Sequence, residues 1–291
     1  MYSQYEVADI TIGINGDNSY LANRMSPFLS NDKKNSDLKV DFKIKESINV
    51  PDGELLMDDV VKWFRRPSSQ GGFSGYRRSE IKGHIVSMFD TDEEWRNTSI
   101  TYENDASYGF NNIIPGEYIS FHILGVLFRN RILKHEGIVM HASSIDFEGK
   151  GIVFSAPSGT GKSTHVRLWE TYMGDSVRVL NDDSPAIRLH DGRAFVYGTP
   201  WAGSTDKFIN RRAPLTAIVV LEQAPDNSIC RISDREAVYR LMARCFLPYF
   251  DNNMMNLAMD SFERIVAATP VYLLKCRPDR QAMELVYQCV K

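Results

Sequence analysis

The residues best suited to chemistry lie in segment 156–163, which reads Ala-Pro-Ser-Gly-Thr-Gly-Lys-Ser. Two glycines let the backbone approach a polyphosphate closely, Lys162 supplies positive charge, and Ser163 supplies a hydroxyl oxygen for Mg²⁺. The apolar run 151–154 precedes the segment and a helical pattern follows it, so a helix N-terminus adds unpaired N–H groups. We therefore predict that the chain binds ATP with Mg²⁺.

The usual form of this motif has glycine where the chain has Ala156, and a methyl group is tolerable there. The alternative interpretation is a glycine-rich turn that only caps a helix. The predicted nucleotide-binding residues are Ser158, Gly159, Thr160, Gly161, Lys162, Ser163 and Thr164.

Two adjacent carboxylates, Asp182 and Asp183, follow the apolar run 177–180. Carboxylates at the end of a strand parallel to the loop strand form the Walker B arrangement. One can hold Mg²⁺ while its neighbour accepts a proton from an acceptor hydroxyl. The spacing leaves open which aspartate does which, and an Asp-rich turn is the alternative.

Several single residues are candidates for a role at the site, and each also has a purely structural interpretation. His141, expected in the strand before the loop strand, can pair with an aspartate or relay a proton, or be a structural histidine. His165 can touch a nucleotide or cover its helix. Arg211 or Arg212 can neutralise charge on a transferring phosphoryl group, or be an ordinary surface arginine.

Composition limits the function classes. The 291 residues suggest two domains, and 43% hydrophobic and 24% charged residues are typical of a globular protein. A net charge of -3 gives no pull toward nucleic acid or an anionic membrane. Without a signal-peptide pattern or a long apolar run, we expect a cytoplasmic protein. Four cysteines without a C-x-x-C pair predict free thiols and no structural zinc.

The pattern along the chain predicts a strand-rich region over about 1–60 and a basic Gly/Ser-rich stretch over 65–82, either a recognition surface or a solvated loop. A helix is expected from Pro115 to about 134. A hairpin over 138–155 then leads into the loop. Run 214–221 is a central strand. Two helices are expected over 233–247 and 252–267, and strand 271–276 precedes a last helix.

The histidine strand, the loop 155–164 and the Asn181-Asp182-Asp183 run together resemble the HPr kinase/phosphorylase family, which is related in fold to ATP-dependent phosphoenolpyruvate carboxykinase. The similarity spans about 136–290. It is greatest to HPr-kinase-like serine kinases with a Tyr-Gly-Thr-Pro-Trp segment, some of which act with ribosomally made peptides such as lasso peptides.

The resemblance implies an α/β fold, with a P-loop kinase domain over 116–291 after a smaller strand-rich α+β domain over 1–115 that recognises substrate. It implies that Lys162 and Ser163 hold phosphates and Mg²⁺, Asp183 binds the metal, and Asp182 is the base with His141 beside it. The second HPr kinase signature is missing, because 197–203 contains no carboxylate. The resemblance therefore does not carry over HPr as the substrate, and it leaves phosphorylase activity open.

These observations predict a kinase that transfers the ATP γ-phosphoryl group to a serine of a peptide or protein. The predicted catalytic residues are Asp182, His141, Lys162 and Arg211, with Ser163 and Asp183 as metal ligands. The alternatives are a non-catalytic ATP-binding sensor and a small-molecule kinase. The acceptor and the oligomeric state stay open.

Overall fold

The structure is a computed structural model that describes residues 1–32, 34–79, 83–103 and 116–291. The expected helix start at Pro115 and the basic residue Lys82 lie outside these ranges. The described chain forms two compact units, one of residues 1–134 with 248–255, the other of residues 135–247 with 256–291. The helix after residue 115 thus belongs to the first unit, whereas the sequence places it in the second domain.

The first unit is built on an eight-stranded sheet with strand order β1-β2-β3-β8-β7-β6-β5-β4. Its strands are β1 (Tyr2–Val7), β2 (Ile10–Asn15), β3 (Leu38–Ile44), β4 (Glu54–Asp58), β5 (Lys62–Arg65), β6 (Phe73–Arg78), β7 (Ile85–Thr91) and β8 (Asn97–Tyr102). Helices α1 (Ser19–Arg24) and α2 (Gly116–Arg131) belong to the same unit. The Asn18 side chain caps α1 and donates to Ser120 Oγ at 2.8 Å, which ties the two helices together.

Segment 248–255 contributes to the core of the first unit. The ring of Phe250 stacks on Trp63 with centroids 3.9 Å apart, and it also contacts Phe73 and Trp95. Asp251 forms an ion pair with Arg65. Since Arg66 also lies 4.0 Å from Asp90, these two arginines of the basic stretch have acidic partners within the unit.

The second unit is a nine-stranded sheet flanked by helices. Its strands are β9 (Gly137–Val139), β10 (Ala142–Phe147), β11 (Lys150–Ser155), β12 (Val177–Asn181), β13 (Ala186–His190), β14 (Arg193–Tyr197), β15 (Arg212–Gln223), β16 (Ser228–Arg231) and β17 (Val271–Cys276). Its helices are α3 (Lys162–Met173), α4 (Asp234–Met242), α5 (Asn252–Ala268), which begins in segment 248–255, and α6 (Arg280–Val290).

The central strand of this sheet is β15, as the sequence predicts. It pairs in parallel with β11 and β17 and antiparallel with β14. Alternate residues of β10, β11 and β15 point to one face, because side chains alternate along a strand. They form a buried cluster with α3 and α6, which includes Phe147, Phe154, Val219, Trp169 and Val286. This packing fixes α3 against the sheet end where β11 finishes.

Two sequence expectations need correction. The run 138–145 is not one strand, because β9 ends at Val139 and β10 begins at Ala142. The N–H groups of Met140 and His141 donate to Pro185 O and Arg244 O instead of extending a single ladder. The helix expected over 233–247 ends at Met242. No helix in the described ranges has the length and apolar character needed to cross a membrane.

Candidate functional site

The glycine-rich loop, residues 156–163, joins the end of β11 to α3. Gly159 and Gly161 have φ of +76° and +116°, a region that L side chains rarely adopt, and no atom lies within 4 Å of where their Cβ atoms would be. Gly161 is the N-cap of α3 and provides no side-chain cap. The first N–H groups of the helix therefore need another partner, which an anion can supply.

The Lys162 side chain is largely buried and folds back against the loop. Its Nζ lies 3.1 Å from Ala156 O and 3.1 Å from His141 Nε2. The pKa of Lys162 is lower than that of an exposed lysine, chiefly because the side chain is buried. The carboxylate of Asp183 opposes this effect, and the positive charge of Arg244 adds to it. Two basic side chains thus act on one another within the field of the carboxylates.

His141 lies in the break between β9 and β10 rather than in a strand. Its Nδ1 is 3.2 Å from Asp183 Oδ1. The resemblance places this histidine beside Asp182, but its Nδ1 contact is with Asp183. The three side chains Lys162, His141 and Asp183 therefore form a continuous line of contacts.

The two aspartates differ in their surroundings. Asp182 is 7% exposed, and Ser143 Oγ on β10 donates to its Oδ1 at 2.5 Å. The Asp183 side chain is 33% exposed, and Ser184 Oγ donates to its Oδ2 at 2.8 Å. Their strand β12 runs antiparallel to β10, which runs antiparallel to β11. Strand β12 is therefore parallel to the loop strand, with β10 between them.

Asn181 fixes the backbone on both sides of the aspartates. Its Nδ2 donates to Thr199 O at 2.8 Å and to Trp201 O at 3.2 Å. Its Oδ1 accepts from the N–H groups of Asp183 and Ser184. Through these hydrogen bonds the fully buried Asn181 connects the end of β12 to loop 198–203. That loop therefore has a structural role at the site.

Gly203 lies directly over Asp183. Its φ is +62°, and a Cβ there would be 3.0 Å from Asp183 Cβ and Cγ. A side chain at this position would be strained and would crowd the carboxylate.

A cavity of about 290 Å³ joins these parts. Its lining contains every predicted nucleotide-binding residue except Thr160, together with His141, both aspartates, Gly203 and Thr205. Thr160 borders a neighbouring cavity that shares Gly159, Gly161 and Thr164.

Arg211 does not reach this cavity. Its Nε lies 2.7 Å from Asp146 Oδ2, and Asp146 pairs with Gly151 near the start of the loop strand. Arg211 therefore lies toward the opposite end of β11 from the loop, and we correct its predicted place in the catalytic group. The Arg212 guanidinium lies over the Phe195 ring instead.

Sequence reasoning missed Arg244 and Ser143. Arg244 follows α4, far from the loop in sequence, and its carbonyl accepts a hydrogen bond from His141 N at 2.7 Å. Ser143 follows His141 by two residues on a strand next to the loop strand. The adjacent Ser144 is equally buried, so the sequence pattern does not single out Ser143.

The fold and the site define a mixed α/β protein with large sheets that carries a glycine-rich strand–loop–helix segment beside paired carboxylates. The family model described as "SynChlorMet cassette protein ScmC" matches residues 119–278, more than half of the chain. The chain therefore belongs to this family.

Among solved structures, the Hpr(Ser) kinase/phosphatase from Coxiella burnetii is similar with 10% identity and a TM-score of 0.30. The match covers 52% of this chain and 94% of that chain. The resemblance to HPr kinases is thus a distant one. No curated protein matches the chain.

Proposed function

We propose that this protein is an ATP-dependent kinase that transfers the γ-phosphoryl group to a serine hydroxyl of a peptide or protein. One observation carries the proposal: the glycine-rich loop, Lys162 and both aspartates line the same cavity. Phosphoryl transfer needs an anion cradle, a metal ligand and a proton acceptor within reach of one another.

The residues fit a nucleotide with Mg²⁺. The open loop and the N-terminus of α3 offer backbone donors, and Lys162 offers a cation. Ser163 and Asp183 would hold the metal, which neutralises part of the phosphate charge when bound. Mg²⁺ usually takes one or two carboxylates, phosphate oxygens and water, and the cavity offers two carboxylates, Asp182 and Asp183.

In the proposed transfer step, Asp182 acts as the base. As the serine oxygen forms its bond to the γ-phosphorus, Asp182 accepts the hydroxyl proton and the bond to the β-phosphate oxygen breaks, releasing ADP. Lys162 would offset the negative charge on the transferring group.

The different roles proposed for Asp182 and Asp183 are inferred from how exposed each side chain is and from the groups that donate hydrogen bonds to it. The more exposed Asp183 is oriented by His141 and Ser184, which suits a metal ligand. Ser143 fixes one oxygen of Asp182 and leaves Oδ2 to take a proton.

The test pairs two isosteric variants, Asp182→Asn and Asp183→Asn, with Asp175→Asn on an exposed turn as the control. Labelled ATP is incubated with peptides encoded beside the gene, since the family description names a cassette. We expect a labelled serine in wild type and in the control. Asp182→Asn should keep ATP affinity but lower transfer by about 10²–10⁴-fold. Asp183→Asn should weaken the Mg²⁺-dependent part of binding.

Full activity of Asp182→Asn would overturn its role as base, and the reverse pattern in the two variants would exchange their roles. ATP binding without label in any peptide or small molecule would support a sensor instead. Label in a small molecule alone would make the protein a small-molecule kinase.

A further inference from the structure

A second cavity, of about 440 Å³, shares the wall formed by Gly159, Gly161 and Thr164 with the candidate site. Its volume falls within the range of small-molecule pockets. The rest of its lining comes from helix α3 and from the ends of β15 and β17, where the two parallel strands finish beside the loop. A ligand that reaches from one cavity to the other would pass along the glycine-rich loop.

The lining of this second cavity differs in character from the phosphate side. Leu221, Ala224, Cys276 and Pro278 give it apolar walls. Its charged residues already have partners: Glu222 Oε2 lies 3.3 Å from Arg240, and Arg277 Nε lies 3.2 Å from Asp279. A largely uncharged group with apolar faces and polar edges suits this lining better than another phosphate.

His165 is a buried part of the wall of this cavity. It borders the cavity, is 3% exposed, and its Nε2 has no hydrogen-bond partner in the described part of the chain. Its ring packs on Phe154 with centroids 4.7 Å apart, so it cannot turn freely to find one. Burial lowers the pKa of His165 to about 4, so the ring is neutral at pH 7. The ring therefore adds no charge to this wall, which suits an uncharged ligand group better than a phosphate.

We propose that this cavity holds the base and ribose of the nucleoside triphosphate whose phosphates occupy the glycine-rich loop. The inference rests on the proposed function. Apolar walls from β15 and β17 would cover the faces of the base, and the neutral ring of His165 would lie beside it without adding a charge. Gln223, whose Nε2 donates to Thr160 O at 3.2 Å, would hold the loop against this pocket.

The first experiment compares ATP with inorganic tripolyphosphate, which has the phosphates but no nucleoside. Both are titrated, with Mg²⁺, into wild type and into Ala224→Phe, which fills the cavity with a ring. Ala267→Phe, at an exposed position of α5, is the matched control. We expect Ala224→Phe to weaken ATP binding at least about tenfold and tripolyphosphate binding by less than about twofold. The control should change neither.

The outcomes separate the two proposals. If wild type binds neither ligand, the proposed function fails and this inference falls with it. If wild type binds ATP but Ala224→Phe retains its affinity, or loses both ligands equally, the nucleoside pocket is overturned while the proposed function stands.

A second measurement uses the unmodified chain. Cys276 borders the cavity, whereas Cys230 is exposed and serves as an internal control for thiol alkylation followed by mass spectrometry. Mg·ATP should slow alkylation of Cys276 at least about fivefold more than tripolyphosphate does, and leave Cys230 unchanged. Equal protection by the two ligands, or none from ATP, would contradict the assignment.

Discussion

At the candidate site the imidazole ring of His141 lies between two oppositely charged side chains, Lys162 and Asp183. Lys162 Nζ can only donate, so His141 Nε2 must accept from it, and the ring proton belongs on Nδ1, where it faces Asp183. The contacts therefore select one tautomer of a neutral histidine. In the proposed function, a ligand phosphate that drew Lys162 away would release this nitrogen, and His141 would then couple nucleotide binding to the orientation of Asp183.

At the same scale, His165 predicts a pH dependence of stability. Its pKa is about 4 in the folded chain against 6.5 for a solvent-exposed histidine, because burial disfavours the charged ring. As the pH falls below 6.5, the His165 ring becomes protonated in the unfolded chain but stays neutral in the folded chain. The free energy of unfolding should therefore fall by about 3 kcal/mol between pH 6.5 and 4 on account of this residue.

Urea unfolding of wild type and His165→Gln across this pH range measures the effect as a difference. The variant should show a shallower loss of stability toward acid, because the change at all other groups is common to both chains. Parallel curves would show that His165 does not titrate as its burial requires.

At the scale of elements, the end of β12 and loop 198–203 are held together by one amide. Asn181→Ala removes the side chain that bonds to Thr199 O, Trp201 O and two backbone N–H groups. Because these groups are left buried without a partner, we expect a loss of about 2–4 kcal/mol in the free energy of unfolding. Asn256→Ala, on the exposed side of α5, should change it by less than about 0.5 kcal/mol. Equal effects in denaturant titrations would show that Asn181 does not fix the loop.

The elements also show what sequence could and could not predict. The strand, glycine-rich loop and helix over 151–173 follow from a local pattern, and so do the central strand β15 and the last helix α6. The break at His141 does not, because its cause is the backbone of Arg244, about a hundred residues away. The position of Arg211 could not be predicted for the same reason, because its ion-pair partner Asp146 lies at the end of β10 away from the loop. Patterns within one element are local, whereas the choice of an ion-pair partner depends on the sheet order.

At the scale of the whole chain, two units each carry their own sheet, and the family match begins at residue 119. The residues proposed for chemistry all belong to the unit of residues 135–247 and 256–291. Recognition of the acceptor by the other unit stays a prediction from the sequence.

The most direct test of the account is a calorimetric titration of Mg·ATP into wild type and Lys162→Met. The account predicts a saturable heat for wild type and a loss of affinity of at least about tenfold in the variant, because a buried ammonium beside the loop is replaced by an apolar side chain. Well-folded wild type that gives no heat, or a variant that binds as wild type does, would contradict it.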